Sequence, residues 1–158
     1  MAAAGIELNG VSYRWPSRPV VVVVIDGGDP AYFERGIRDG VIPNVARFTK
    51  AGFGAVAQGD MPSFTCPNNM SIATGSPPAV HGISGNFFLD PDTVEAVVMT
   101  GPELIRSRTI MTEFSRRGAK VVSITAKDKL RRQLGKDMDF SKGSVNFSSE
   151  CADACTAE

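Results

Sequence analysis

Apolar residues gather in one unbroken run near the start of the chain and in short periodic groups after it. Val20 to Val24 and Ile25 are six consecutive β-branched positions. Such side chains are stiff at χ1 and pack well on a pleated surface. A continuous apolar run of this length predicts a strand buried on both faces of a parallel sheet. The run stops at Asp26, where Gly27 and Gly28 allow a sharp turn. Asp29 then offers a helix cap with Pro30 at the first helical position, predicting a helix over 31–38 that ends at Gly40. Pro43 opens a second helix with Val45, Phe48 and Ala51 on its buried face and Gly52 as its stop. Residues 53–58 suit a second strand.

Further along, Pro67 suits the first position of a short helix through Ala73, stopped by Gly75. Residues 76–86 carry too much Pro and Gly for regular structure. Residues 87–89 and 94–99 pattern as a hairpin across Asp90-Pro91-Asp92. An amphipathic helix is predicted over 110–117, with Ile110, Met111 and Phe114 inward, then a core strand over 120–125 and a helical turn or two over 130–134. Residues 1–19 read as an irregular lead-in whose Tyr13, Trp15 and Pro16 lie as a lid on the core edge. From Lys136 onward the chain is polar, and no terminal strand is expected. The order of elements predicts an α/β fold, a largely parallel sheet flanked by helices, occupying 20–158.

Composition narrows the classes. Apolar residues make up 42% and charged residues 22% of the 158, which excludes a disordered chain. With 17 basic and 17 acidic residues the net charge is zero, which argues against nucleic acid or an anionic membrane as the main partner. The N-terminus has neither the basic region nor the apolar stretch of a secretory leader, and 20–25 falls far short of the roughly 20 residues a membrane span needs. A cytoplasmic protein is therefore expected. Cys66, Cys151 and Cys155 are an odd set, not a disulfide framework. The Cys151–Cys155 spacing lacks the neighbouring Cys or His that a zinc finger requires.

Several residues could carry chemistry. Asp26, at the carboxyl end of a predicted strand, reads equally as a metal ligand or as the cap of the following turn. Thr65 and Cys66 fall just before a predicted helix N-terminus, where unpaired N–H groups and the helix dipole favour an anion. Either is a candidate nucleophile toward a phosphoryl group, and either could be an ordinary cap. His81 is the only histidine; with no other ligand clustered near it, a hydrogen-bonding post is favoured over a metal ligand. Lys127 and Lys129 follow the 120–125 strand, at the same predicted sheet edge as Asp26, and could clamp an anion or simply open a solvated helix. Glycine-rich phosphate loops are absent.

Three segments go further: IDGGDPAYF from Ile25, MPSFTCPNNMSIATGSPPAVHGISGNFFLD from Met61, and TAKDKLRRQLG from Thr125. With them, nearly all of 20–158 resembles the phosphonoacetate hydrolases of the alkaline phosphatase superfamily. The resemblance implies an alkaline-phosphatase-like fold, of which this chain is the N-terminal portion. It implies hydrolysis of the C–P bond of phosphonoacetate to acetate and phosphate in the full-length enzyme. It makes Asp26 a zinc ligand, Thr65 both a ligand and the nucleophile that forms a phosphothreonine, and Asn86, Lys127 and Lys129 substrate contacts. The implied partner is a small phosphonate, with a homo-oligomer left open. Two departures are visible. Cys66 stands where the family usually has Asn, and the further Asp and His ligands of a two-zinc site lie in a second half that this chain does not contain. The 158 residues alone are therefore expected to be inactive. The alternatives are another phosphodiesterase or phosphatase of the superfamily, or a non-catalytic anion-binding fragment.

Overall fold

The computed structural model describes residues 5–152. The chain divides into two compact units, one formed by the residues up to Ser17 together with Asp60 onward, the other by Arg18–Gly59.

In the first unit, β1 (Ile6–Leu8) and β2 (Val11–Tyr13) form an antiparallel hairpin with Leu8 opposite Val11. Asn9 and Gly10 make its turn with φ of 48° and 82°. Positive φ at both central residues is what a two-residue hairpin turn demands, and Asn-Gly is its strongest sequence signal. The irregular lead-in is thus corrected: the Asn-Gly step sets a hairpin that buries Ile6 and Leu8. Trp15 is exposed, with its ring 5.4 Å from that of half-buried Phe114.

The helices α3 (Thr65–Thr74) and α4 (Pro78–His81) follow. Next come the antiparallel pair β3 (Phe87–Leu89) and β4 (Ala96–Val98), then α5 (Ile110–Arg116). The predicted hairpin is present, its turn held by Asp90 Oδ1, which accepts from the N–H groups of Asp92 and Thr93. Thr109 caps α5 by accepting from Thr112 N–H at 3.1 Å. The inward face of α5 differs from the expected one: Thr112, Glu113 and Ser115 are buried, whereas Ile110, Met111 and Phe114 are half-buried. Polar groups are tolerated there because they are bonded, Glu113 to Arg108 at 2.9 Å and Thr112 to the Lys136 carbonyl at 2.6 Å.

The unit closes with β5 (Val122–Thr125), α6 (Asp128–Leu134) and β6 (Val145–Ser148). β5 and β6 pair in parallel, Val122 opposite Val145 and Thr125 opposite Ser148, with α6 as the connecting helix. β6 corrects the expected polar tail. Its buried positions are Asn146 and Ser148, not Val145 and Phe147, so polar residues occupy the side that a hydrophobic pattern search scores as core. β5 behaves alike, with Ser123 buried and Ile124 exposed. The apolar core is Cys66, Met70, Ile83, Met99, Ile105 and Leu130, with Phe88 and Leu134 packed against it.

The second unit holds α1 (Pro30–Arg38) and α2 (Pro43–Ala51). Asp29 caps α1 as its sequence predicts, accepting from Ala31 N–H at 2.8 Å. Replacing it by alanine should cost about 1 kcal/mol, read as a lower denaturant midpoint with an unchanged slope. On the predicted inner face of α2, Val45 is half-buried but Phe48 is 64% exposed, and Ala51 is exposed too. The two predicted strands are corrected. Residues 20–25 and 53–58 belong to no ladder, and Val21 is 83% and Phe53 92% exposed. β-branched side chains favour an extended backbone, but a strand forms only when a neighbour supplies the opposing N–H and C=O groups. Among the described residues the parallel pairing is that of β5 and β6.

Candidate active site

Thr65 is the first residue of α3, after Phe64 as an extended N-cap. The helix starts two residues before the predicted position, so Pro67 falls in its first turn, where a missing N–H breaks no helical bond. This separates the two candidate nucleophiles. Thr65 is half-buried at the head of the helix, in the field of its positive end. Cys66 is fully buried within the apolar core. A thiol in that position is a packing group, which removes it from consideration as the attacking atom. Cys66→Ala should therefore leave turnover intact below the melting temperature. Cys66→Ser, the closest polar replacement for the thiol, should likewise retain turnover.

His81 ends α4 and is fully buried. Its Nδ1 accepts from Ile83 N–H at 3.1 Å and its Nε2 lies 2.9 Å from Ser71 Oγ. Burial pushes the imidazole below its ordinary pKa, with Asp60 opposing and Arg106 adding to the shift. The hydrogen-bonding post is the role the structure gives it.

Asn86 directly precedes β3. Its carbonyl accepts from Met99 N–H at 2.9 Å. Its side-chain Oδ1 is buried and meets no hydrogen-bond partner among the described residues. Gln133 and Asn146 also carry such an oxygen, but each uses its amide nitrogen, toward the carbonyls of Met99 and Arg131.

Lys127 is the N-cap of α6 and Lys129 lies in its first turn. Together with Thr100, Asp128, Arg132 and Glu150 they line one open cleft. Glu150 was not legible as a site residue because it follows the unrecognised strand β6, at the same edge as Lys127. Its Oε1 lies 3.3 Å from Lys127 Nζ and its Oε2 accepts from Asp128 N–H at 2.8 Å. The Asp128 N–H bond first, and Lys127 second, hold the Glu150 carboxyl below its ordinary pKa. Helix α3 packs against α6, so the elements bearing Thr65 and the lysines are neighbours.

Asp26 belongs to the Arg18–Gly59 unit. It is exposed in a turn where Gly27 takes φ of 70° and Gly28 N–H bonds the Ile25 carbonyl at 3.1 Å. Among the described residues no three His, Cys, Asp or Glu side chains converge as a metal site. Zinc takes four ligands, and Asp26 with Thr65 supplies two oxygen donors, so the described residues do not by themselves fit zinc. Of the Cys151–Cys155 pair, Cys151 is a free thiol and Cys155 lies outside the described residues.

A family model described as type I phosphodiesterase / nucleotide pyrophosphatase matches residues 20–142. The chain belongs to this family. Within the family, two crystal structures of phosphonoacetate hydrolase from Sinorhizobium meliloti 1021 resemble it, one in complex with phosphonoformate and one with phosphonoacetate. Each is 46% identical with a TM-score of 0.93, over 99% of this chain and 38% of theirs. The chain thus spans little more than a third of the length of these phosphodiesterase-family relatives, and it shares their alkaline-phosphatase-like fold. No described helix is long and apolar enough to cross a membrane.

Proposed function

We propose that this chain is the nucleophile-bearing part of a metal-dependent hydrolase that splits phosphonoacetate into acetate and phosphate. What supports the reading most is the likeness, across 99% of the chain, to a hydrolase crystallised with that compound. Thr65 stands at the head of α3, suited by position to attack phosphorus.

In this reading Thr65 Oγ1 forms a bond to phosphorus in line with the P–C bond, which breaks. The electron pair leaves on the acetate carbon as an enolate and is protonated from water, and the hydroxide so left takes up the proton that Thr65 Oγ1 gives up, so this step consumes no water. A second water then hydrolyses the phosphothreonine and frees phosphate. The sum is one water consumed for one acetate and one phosphate. The enolate is a poor leaving group, so its developing charge needs stabilising. Lys127 and Lys129 supply two cations for the substrate carboxylate. Asn86, whose amide is unspent, donates to a phosphonate oxygen. Zinc is the metal that the resemblance implies, with Asp26 and Thr65 among its ligands and the others contributed by the remaining length of the enzyme.

The family description favours one other reading, hydrolysis of a phosphodiester. Acetate and phosphate release from phosphonoacetate, compared with nitrophenol release from a nitrophenyl diester, separates the two. Turnover of the diester without turnover of phosphonoacetate would overturn the first reading.

A further inference from the structure

Beyond the groups expected to touch substrate, we infer that Asp60, Ser71 and His81 are positioning residues for Thr65. They form a one-way hydrogen-bond relay that fixes the loop leading into the helix headed by Thr65. The inference deepens the phosphonoacetate reading and rests on it.

The direction of the relay follows from donor counting. His81 Nδ1 accepts from Ile83 N–H, so in the neutral ring the proton sits on Nε2. Nε2–H therefore donates to Ser71 Oγ. The single hydroxyl proton of Ser71 is then directed to Asp60 Oδ2, which accepts it in a short bond. The charged groups facing the ring are Asp60 and Arg106; Arg106 N–H also holds the His81 carbonyl at 3.0 Å. An imidazole buried at α4 thus determines, through a hydroxyl on α3, where a carboxylate on the preceding loop sits.

That loop has little else to hold it. Met61 is 82% and Phe64 46% exposed, so apolar burial within residues 61–64 is confined to part of Phe64. Their tethers are polar. Asn68 grips both ends, its Oδ1 accepting from Asp60 N–H at 2.9 Å and its Nδ2 donating to the Phe64 carbonyl at 3.0 Å. The relay anchors the Asp60 side chain at the N-terminal end of the loop. Thr65 directly follows the loop. Displacing a reacting group by about 1 Å can cost about 100-fold in rate.

The test uses the whole enzyme. Ser71→Ala removes the middle of the relay with one atom lost. It should lower kcat about 10- to 100-fold with KM within about twofold, and amide exchange at Asp60 and Phe64 should quicken. Ser71→Thr, which keeps the hydroxyl, should restore most of the rate. Asp60→Ala, which removes the acceptor at the half-buried end of the relay, is the second variant should Ser71→Ala fail to fold. Unchanged kcat in either folded variant overturns the proposal, whatever the exchange does. If the parent enzyme turns over a diester but not phosphonoacetate, the substrate reading fails instead, and the same kcat comparison on the diester still tests the relay.

Discussion

On the proposed role, Thr65→Ala should cut hydrolysis of phosphonoacetate by the whole enzyme to roughly a thousandth of the parent rate or less, while leaving the fold in place. The size of the loss follows from the role. A covalent route replaces one difficult displacement by two easier ones, and both need the threonine oxygen. The small structural cost follows from position. Thr65 is half-buried at the first turn of α3, outside the apolar core that its neighbour Cys66 enters. Thermal unfolding of the variant should therefore stay close to the parent's. Thr65→Ser keeps a hydroxyl at the same place and should retain measurable activity. Rapid quench with mass analysis should find one phosphoryl group on the parent and none on the alanine variant. Near-normal turnover by Thr65→Ala would remove this residue from the mechanism.

The second large effect is one of selectivity. Lys127→Ala combined with Lys129→Ala should depress phosphonoacetate hydrolysis about 100-fold or more, with a much smaller loss on a phosphate ester that has no carboxylate. The contrast arises because an enolate gathers charge next to its carboxylate in the transition state, and an ester leaving group does not place charge there. The structure also ranks the two lysines. Lys127 shares its ammonium with Glu150, whereas Lys129 forms no ion pair among the described residues, so Lys129 is the more available cation for substrate. Equal losses on both substrates would mean that the lysines serve α6 and not the reaction.

Much of the helical content was legible from local rules. Asp29-Pro30 and Pro43 start helices because capping and a fixed φ act within one turn of chain. The Phe87–Leu89 hairpin was legible because Asp90 and Pro91 specify a reversal locally. What escaped was set by partners. The valine run supplied strand propensity without a neighbouring strand to confirm it, and β6 hid behind Asn146 and Ser148 on its buried side. The Asn9-Gly10 turn is also a local signal, but the strands it joins are three residues each, too short to show a periodic pattern.

The candidate site divides in the same way. Residue types at motif positions pointed to Thr65, Asn86, Lys127 and Lys129. Their surroundings did not follow from the motifs. Glu150 reaches Lys127 across 23 positions of sequence, and the Ser71 link between Asp60 and His81 is a tertiary arrangement with no local pattern. Cys66 shows the converse, since only its burial separates a packing thiol from a reactive one.

The exposed run from Val20 to Ile25 has a consequence for handling. Six β-branched residues without a charge among them, each at least 49% exposed, are a template for intermolecular cross-β stacking. Arg18-Pro19 before the run and Asp26 after it act as gatekeepers at its ends only. Self-association of this chain should therefore begin at these valines and rise steeply with concentration. A lysine placed at Val22 is the change that should suppress it.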